Sequence, residues 1–414
     1  MKFTKKQIIG IISFVIAGIL IIGGLYVLSN KSKQMSEGNI PEVIDTSIFV
    51  KPNDFYTDFQ NELLSSELKD KNYVVSPVSF RNTMLAYAYG SVDETKIEVL
   101  RTMGFSTLEE YEKWQTKILS LSENKNTDNS ETANTVFDLK ILSGIWENTS
   151  NQSKVFDKKA LDTIHKKYNI PNYKTNAKTV TKEINNYFVS QIEKETFKAL
   201  NEKHDYTKNE FLFVDTTYLE TKWKQPFTCV DAYKADFTTK SGEKIKKDYM
   251  RTITSVKYYK DKKTELIVVP MENNINVAFV KGDATNVYEK INNAVEKRMF
   301  VILPIVEFSN EIPSSCFENY FKNNGAELLL TEKSDFSTIS ENSNFKVSNL
   351  LQKTEFTMNE AGVGVGKPSV IIGYNREEAK EIKKFYANSS FNFYVYSIDE
   401  KDTKDTLLCG QVCE

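Results

Sequence analysis

The residue types that most often carry out chemistry are sparse in this sequence of 414 residues. It has two histidines, His165 and His204, and four cysteines. His165 falls on an amphipathic helical stretch and His204 in a polar turn, and neither stands near a cysteine at the spacing of a metal site. The Gly-x-Ser-x-Gly motif of serine hydrolases is absent. We therefore expect no enzymatic activity, no metal site and no cofactor.

The cysteines do not form a disulfide framework. Cys409 and Cys413 are four residues apart in a predicted strand, which separates them by roughly 13 Å. That distance is too long for a bond between them. The sequence leaves a pairing of Cys229 with Cys316 open, and we expect buried free thiols.

One long segment between two predicted strands lacks the periodicity of either a helix or a strand. Gln352–Asn359 alternates in the manner of a strand, and Phe391–Tyr396 is aromatic and β-branched. About thirty residues lie between them. Loops longer than ~12–15 residues are uncommon in compact domains unless they are functional. We therefore predict that this loop is the working part of the molecule.

Nucleotide and nucleic acid are poor candidates for the partner of this loop. Gly362–Pro368 (GVGVGKP) is similar to a phosphate-binding loop only superficially, because Ala361 occupies the first glycine position and Pro368 the serine or threonine position. The chain carries 54 basic and 56 acidic residues. This near balance gives no support for a nucleic-acid partner.

The N-terminus has the pattern of a membrane segment. Ile8–Leu28 contains 21 residues without a charge, which as a helix would span ~30 Å, the thickness of one hydrocarbon core. No small-residue cleavage site follows it. We predict an uncleaved membrane anchor in residues 1–29 and a polar tether in residues 30–49, with a cleaved export signal as the alternative. Either arrangement places the rest of the chain outside the cytoplasm.

The globular part, residues 50–414, mixes helical and strand patterns. A helix is predicted from Phe55 to Leu64, and a buried helix begins at Pro77, with Ser76 as its cap, and ends at Gly90. Further predicted elements are the helices Lys158–Lys167 and Val180–Leu200 and the strands Leu266–Pro270, Asn276–Val280 and Phe300–Val306. Because strands and helices do not alternate strictly, the fold class is α+β.

Several sequence blocks follow one another in an order shared with a known family. The blocks are Asn72-x3-Ser76-Pro77-x-Ser79, Phe211–Phe227 around Trp223, Asp335-Phe336-Ser337, Val347-Ser348, Gln352-Lys353, Asn359–Gly362, Phe385–Phe393 and Leu408–Val412. Together they resemble the serpins, large proteins that trap proteases. The resemblance implies one α+β domain with the serpin fold: a large central sheet, two further sheets and eight to nine helices.

The resemblance also implies a mechanical function for the loop at about residues 360–390. In serpins a target protease cuts this exposed loop, which then inserts into the central sheet as an added strand and traps the enzyme. Insertion gains ladder hydrogen bonds and releases stored strain. We expect this chain to act in that way, as a monomer.

The first part of the loop corresponds to the serpin hinge, but it departs from the inhibitory pattern. The hinge residues are Glu360, Gly362, Val363, Gly364, Val365 and Gly366. Lys367 would point inward in an inserted strand, which is costly for an unpaired ammonium, and Pro368 cannot donate to the ladder. Two alternatives stay open: an inhibitor, or a non-inhibitory relative that is a binding module or a plain substrate.

The position of the reactive bond follows from the family's spacing. The bond lies sixteen residues beyond the hinge Glu360, which gives Arg376–Glu377, with Tyr374 as the fallback position. An arginine before the bond implies an extracellular Arg-specific serine protease, or a cysteine protease of that preference. Glu377 and Glu378 would repel many trypsin-like active sites, which favours a particular partner.

The resemblance further implies a polar cluster that controls the opening of the central sheet. Its members here are Asn72, Ser76, Ser79 and Gln352, with Trp223 as a buried aromatic residue near the point where the loop inserts. Gln352 stands where the family usually has histidine, Asp215 where asparagine is usual, and Thr221 where glycine is common. Because an amide donates and accepts as a neutral imidazole does, we expect the cluster to persist.

Overall fold

The computed structural model describes residues 54–123, 137–150, 156–195, 197–201, 211–340, 350–364 and 377–414. The predicted anchor and tether, residues 1–49, lie outside these ranges. Within them, no helix combines the length and the apolar character that crossing a membrane requires. The α-helices of the described residues are α1 (Phe55–Ser65), α2 (Pro77–Gly90), α3 (Asp93–Thr102), α4 (Leu108–Glu123), α5 (Lys158–Tyr168), α6 (Val180–Ile192), α7 (Val287–Asn292), α8 (Ser314–Asn323) and α9 (Glu378–Glu381).

The strands of the described residues form two hydrogen-bonded sheets. They are β1 (Tyr73–Val75), β2 (Phe137–Asn148), β3 (Asn172–Thr175), β4 (Phe211–Lys222), β5 (Thr228–Thr238), β6 (Lys244–Lys260), β7 (Thr264–Pro270), β8 (Ile275–Gly282), β9 (Val295–Pro304), β10 (Val306–Ile312), β11 (Leu351–Met358), β12 (Gly362–Val363), β13 (Lys384–Tyr386), β14 (Phe391–Ile398) and β15 (Lys404–Val412). The smaller sheet has the order β10-β11-β12-β4-β2-β3. It contains the predicted hinge.

The larger sheet runs β1-β15-β14-β8-β7-β6-β9-β13, with β5 also paired to β6. We expected two further sheets beside the central one. In the structure these two sheets are one, because the 17-residue strand β6 belongs to both: it pairs with β5 along its first half and with β7 at its end. One continuous nine-stranded sheet therefore stands in place of the two separate sheets that we expected.

Apolar residues of both sheets and of helices α1–α4 form one large core. Helix α2 is buried on nearly all sides, and Met84, Leu85 and Ala88 have less than 1% of their surface exposed. The Ser76 hydroxyl accepts a hydrogen bond from the Ser79 backbone N–H, which confirms the predicted cap. A second, smaller core lies under α6 and includes Trp146, Phe188 and Val214.

The predicted helix Val180–Leu200 is too long. It ends at Ile192, because Glu193 adopts the left-handed conformation at φ +62°. The chain then returns along α6, where the Asn185 side chain accepts from the Leu200 N–H and donates to the Leu200 carbonyl. Apolar residues of this return segment pack into the second core, so their spacing imitated a continuing helix.

The predicted strand Phe300–Val306 is divided in the structure. Pro304 ends β9 in the larger sheet, and β10 begins at Val306 in the smaller one. Of the cysteines, Cys316, Cys409 and Cys413 are free and buried. Burial raises the pKa of the Cys409 thiol, so it is an inert core group.

Candidate functional site

The hinge lies inside the smaller sheet as a two-residue strand. β12 pairs antiparallel with β11 on one side, Val363 opposite Met358, and antiparallel with β4 on the other, Val363 opposite Thr221. The Gly364 N–H continues the ladder by donating to the Thr357 carbonyl at 2.8 Å. The loop therefore begins with its first residues already inserted between two strands.

Glycine is required at two of these positions. A Cβ at Gly362 would lie 2.0 Å from the Thr221 carbonyl oxygen, and one at Gly364 would lie 1.9 Å from the Leu219 carbonyl oxygen. Gly364 also has φ +73°, which side-chain-bearing residues rarely adopt. Val363, between them, has 1% of its surface exposed. Small residues here let the hinge backbone approach the backbone of β4.

Trp223 fixes the turn that leads into the hinge. Its indole N–H donates to the Asn359 carbonyl at 2.8 Å, and its backbone N–H donates to the Ala361 carbonyl at 3.0 Å. The Phe227 N–H donates to the Glu360 carbonyl at 3.0 Å. The Trp223 ring is buried and packs against Phe227. The residues after β4 thus hold all three carbonyls of the turn.

Below the hinge the ladder pairing between β11 and β4 has a gap, which we call the crevice, although the Thr216 hydroxyl donates across it to the Lys353 carbonyl at 3.3 Å. The two strands pair directly only at Leu351–Val214 and Gln352–Asp215. On the edge that faces β2, residues 216–220 of β4 are all paired. On the edge that faces β11, the same residues have no ladder partner among the described residues. The Thr354 hydroxyl on β11 is buried without a hydrogen bond in this described region. A further strand would satisfy such groups.

The polar cluster lies at the end of the crevice away from the hinge, where β11 and β4 pair directly. The Gln352 amide oxygen accepts from the Ser76 N–H at 2.6 Å, and its nitrogen donates to the Ser76 carbonyl at 3.0 Å and to Asp215 Oδ1 at 2.6 Å. The Ser76 and Thr217 hydroxyls share a hydrogen bond of 2.6 Å. The amide of Gln352 therefore links α2, β4 and β11 at the place where the two strands would separate.

Asp215 puts an ionisable group at the centre of this cluster. Burial raises the pKa of its carboxyl group to about 6, although the Gln352 amide and the hydroxyls of Ser79 and Thr83 beside it lower the pKa in part. Only 5% of the residue is exposed. The carboxyl group is therefore ionised at neutral pH at a considerable desolvation cost.

The structure brings Ser76, Ser79 and Gln352 together, but not Asn72. The Asn72 side chain accepts from the Cys413 and Glu414 N–H groups at 2.6 and 3.1 Å and donates to the Glu414 carbonyl. Its role in the structure is to bind the C-terminus beside β1. Trp223 also lies outside the cluster, at the hinge end of the crevice.

The leaving side of the predicted reactive bond is held against the larger sheet. Val365, Gly366, Lys367, Pro368, Tyr374 and Arg376 lie outside the described residues. Glu377 precedes the one-turn helix α9 and forms an ion pair with Lys380 at 2.8 Å. Glu378 binds Arg298 of β9, with 2.6 Å between Oε1 and Nε. Both acidic charges next to the bond are thus paired within the molecule.

Sequence reasoning missed Asp215 and Thr217 as members of the cluster. The signal available was the alternation of β4, which turns Asp215 and Thr217 towards the same face. In the described ranges, no group of three or more histidine, cysteine, aspartate or glutamate side chains could hold a metal ion.

Comparisons with known proteins agree on one family. The model of the serpin family (serine protease inhibitor) matches residues 51–414. An uncharacterised serpin-like protein of Acanthamoeba polyphaga mimivirus is 23% identical over 53% of this chain and 59% of its own length. The plasma serine protease inhibitor of Homo sapiens is 21% identical over 80% of this chain and 83% of its own. The structure of human thyroxine-binding globulin has a TM-score of 0.72 at 17% identity, covering 87% of this chain and 96% of that one.

Proposed function

The chain belongs to the serpin family, and from that premise we propose that it inhibits an extracellular protease by capturing it during cleavage of the loop near Arg376. The observation that carries the proposal is the inserted hinge beside an incompletely paired crevice. The hinge strand β12 already has a strand partner on each side, and residues 216–220 of β4 have no ladder partner on the β11 side among the described residues, where the same strand would continue.

The reaction that starts capture is ordinary proteolysis. The nucleophile of the target enzyme attacks the carbonyl carbon of Arg376, the amide bond to Glu377 breaks, and the new α-amino group of Glu377 leaves with a proton. An ester or thioester then joins the enzyme to Arg376. Residues 362–376 stay attached to the sheet at the hinge, so their insertion would carry the bound enzyme along.

The fold also supports Arg376 as the residue before the bond. Of the later basic residues of the loop, Lys380 belongs to α9, Lys384 begins β13, and Lys383 directly precedes it, with its carbonyl bonded to the Phe300 N–H of β9. A protease binds its substrate in an extended form, and these residues are held in a helical turn and a sheet. Arg376 is the last basic residue before that fixed segment.

A second candidate function is a non-inhibitory serpin that is cut without capture, or that acts as a binding module. Lys367 and Pro368 favour it, because a central strand tolerates neither an inward ammonium nor a missing N–H well. The similarity in fold to thyroxine-binding globulin, whose name describes a binding protein, adds weight to this alternative.

A gel experiment separates the two candidates. The soluble part, from residue 46 onward, is incubated with a panel of Arg-specific serine proteases and then boiled in detergent. Capture gives a band at the summed mass of protease and the larger serpin fragment. A non-inhibitory serpin gives only the two fragments, and mass analysis of the smaller one identifies the bond. Fragments without any complex, at every protease concentration, would contradict the inhibitory proposal.

The site of action follows from the N-terminal prediction. If Ile8–Leu28 anchors the chain in a membrane, the inhibitor acts beside that membrane on its outer side. A cleaved signal would instead give a secreted inhibitor. Fractionation of cells that express the full chain, followed by mass analysis of its N-terminus, distinguishes the two.

A further inference from the structure

Two lysines at one edge of the larger sheet both lie against the same tyrosine ring. The Lys383 ammonium lies 4.2 Å from the centroid of the Tyr258 ring, and the Lys297 ammonium lies 5.7 Å from it. The tyrosine is buried to 7% exposure, and its hydroxyl donates to Glu265 at 3.1 Å. Cation–π attraction to a fixed ring restricts the two ammonium groups, whose side chains are exposed.

An exposed aliphatic side chain lies on the same face. Val295 pairs with Tyr258, and Lys297 pairs with Val256 two residues along, so alternation places Val295 and Lys297 on one side of the sheet. Val295 is 66% exposed, the most exposed large apolar side chain in the described residues. We call Val295, Lys297 and Lys383, with the Tyr258 ring beside them, the contact patch.

The contact patch borders the leaving side of the proposed reactive bond. Arg298, which follows Lys297 in β9 but lies on the other side of the sheet, binds Glu378, the second residue after that bond. Lys383 comes two residues after α9 and directly before β13. A protease that binds the loop at Arg376 would therefore cover this part of the sheet.

The charges that such a protease would meet are mainly positive. Glu377 and Glu378 are neutralised by Lys380 and Arg298. On the face of the patch, Lys297 and Lys383 are exposed, and Glu265, which accepts from the Tyr258 hydroxyl, is already paired with Lys281 at 2.8 Å and with Lys260 at 3.7 Å. The two lysines therefore give the patch a positive charge, which complements an acidic surface.

We propose that the contact patch is a second binding surface for the protease that cuts the loop, and that it recognises an acidic area beside that enzyme's active-site cleft. The proposal rests on the proposed function and adds the class of target. Charges at the rim of an interface act chiefly on the association rate, and the exposed valine supplies apolar contact area. The patch would thus favour enzymes that tolerate paired glutamates after the bond and carry an acidic rim.

The test measures the second-order rate of cleavage at Arg376, whether the enzyme is captured or released. The variant is Lys297→Glu with Lys383→Glu, and the control is Lys159→Glu with Lys166→Glu on α5, which changes the net charge equally at exposed positions. Against an Arg-specific serine protease with an acidic rim, we expect the patch variant to react about tenfold more slowly at low salt, with a smaller difference at high salt. The control variant should react as the wild type does.

Three results would overturn the proposal. The patch variant could react at the wild-type rate, or the control could lose as much. The patch variant could also keep its cleavage rate while losing retention on dextran sulfate, which would make the patch a polyanion site instead. Lys297→Ala with Lys383→Ala, which reverses no charge, repeats the measurement if the first variant folds poorly. A wild-type loop that no Arg-specific enzyme cuts overturns the proposed function and this proposal with it.

Discussion

At the scale of single residues, Asp215 is the ionisable group of the polar cluster. Its carboxyl group accepts a hydrogen bond from Gln352 across the two strands that a further strand would separate. Its raised pKa means that the folded state holds the proton more tightly than the unfolded state does. The contribution of this group to stability is therefore full in acid and is lost as the pH rises to about 6.

We predict that Asp215→Asn removes this pH dependence. From pH 4.5 to pH 7, the wild type should lose about 1–2 kcal/mol of unfolding free energy relative to the variant. Urea unfolding of both proteins at the two pH values measures the difference. Parallel pH profiles of the two proteins would show that the carboxyl group is not perturbed by burial.

Gly364 tests whether the hinge needs close backbone contact. Gly364→Ala places a methyl group against the Leu219 carbonyl and strains a backbone at φ +73°. Gly242→Ala is the matched control, since Gly242 has φ +89° and nothing within 4 Å of its Cβ position. Both changes cost roughly 1–3 kcal/mol of backbone strain.

Only the Gly364 change should expel the hinge from the sheet. Hydrogen exchange followed by mass spectrometry on a peptide that covers residues 357–364 should be faster in Gly364→Ala by about tenfold for each 1.4 kcal/mol lost. Equal exchange in the two variants would mean that the hinge pairing does not depend on this glycine.

The sequence was a good guide to residues whose role is local. Ser76 could be predicted as a cap because the pattern Ser-Pro at the start of an apolar helix has a local physical cause. Asn72 could not be placed, because its partners, the N–H groups of Cys413 and Glu414, come from the other end of the chain. Contacts between residues so far apart in the chain leave no periodic pattern in the sequence.

At the scale of elements, we expect α9 to limit which bonds of the loop a protease can reach. Its anchor on the sheet is the Arg298–Glu378 pair, and both side chains are partly exposed. A pair of this kind contributes little to global stability. The ion pair should instead act locally, by keeping the helical turn that follows the proposed reactive bond ordered.

We predict that Arg298→Ala loosens α9 and allows a second cut after Lys380. Mass analysis of the C-terminal fragment should show residues 381–414 beside the expected 377–414. The control is Lys246→Ala, which removes an exposed pair of the same 2.6 Å length with Asp236. A single fragment from both variants would mean that the sheet holds α9 without the ion pair.

The residues after the hinge make a separate prediction. Lys367→Ala with Pro368→Ala should raise the fraction of protease that is captured rather than released, because both departures from a good central strand are removed. Densitometry of the complex and fragment bands measures this fraction. The variant Lys333→Ala, at an exposed position outside the loop, should leave it at the wild-type value. An unchanged fraction in the double variant would show that these two residues do not limit insertion.

From the sequence we predict only that the hinge can insert into a sheet. The alternation of glycine and valine shows that Gly362–Gly364 fits a central strand, but it does not show whether the uncut loop occupies one. The hydrogen bonds from Trp223 and Phe227 to the preceding turn determine that. They come from the connection after β4, which is distant in sequence, and no local pattern encodes them.

At the scale of the whole molecule, the sequence blocks predicted the family and the α+β class, and the fold subsequently agreed. The continuous nine-stranded sheet was not foreseen, since it depends on β6 being long enough to pair with both groups of strands. Pairing order between distant strands is set by packing, which a single sequence does not display.

A mechanical consequence can be measured on the whole domain. If the cut loop inserts, residues 365–376 join the ladder that β12 has begun, and the melting temperature should rise well above that of the uncut protein. Calorimetry before and after a limited cut at Arg376 makes the comparison. Arg376→Ala, which the same protease should leave uncut, is the control for the treatment. An unchanged melting temperature after the cut would exclude insertion.

The turn at Asn359–Ala361 has one further consequence for the speed of this transition. Starting a new strand is ordinarily the slow part, because chain ends must first be brought together at an entropic cost. Here the hairpin between β11 and β12 already exists before any cut, so that initiating event has taken place during folding. If the cut loop inserts as we propose, the free chain would only have to extend an existing ladder. The rate of insertion would then depend on how fast β4 and β11 move apart, and we expect the hydrogen bond between Gln352 and Asp215 to slow that separation.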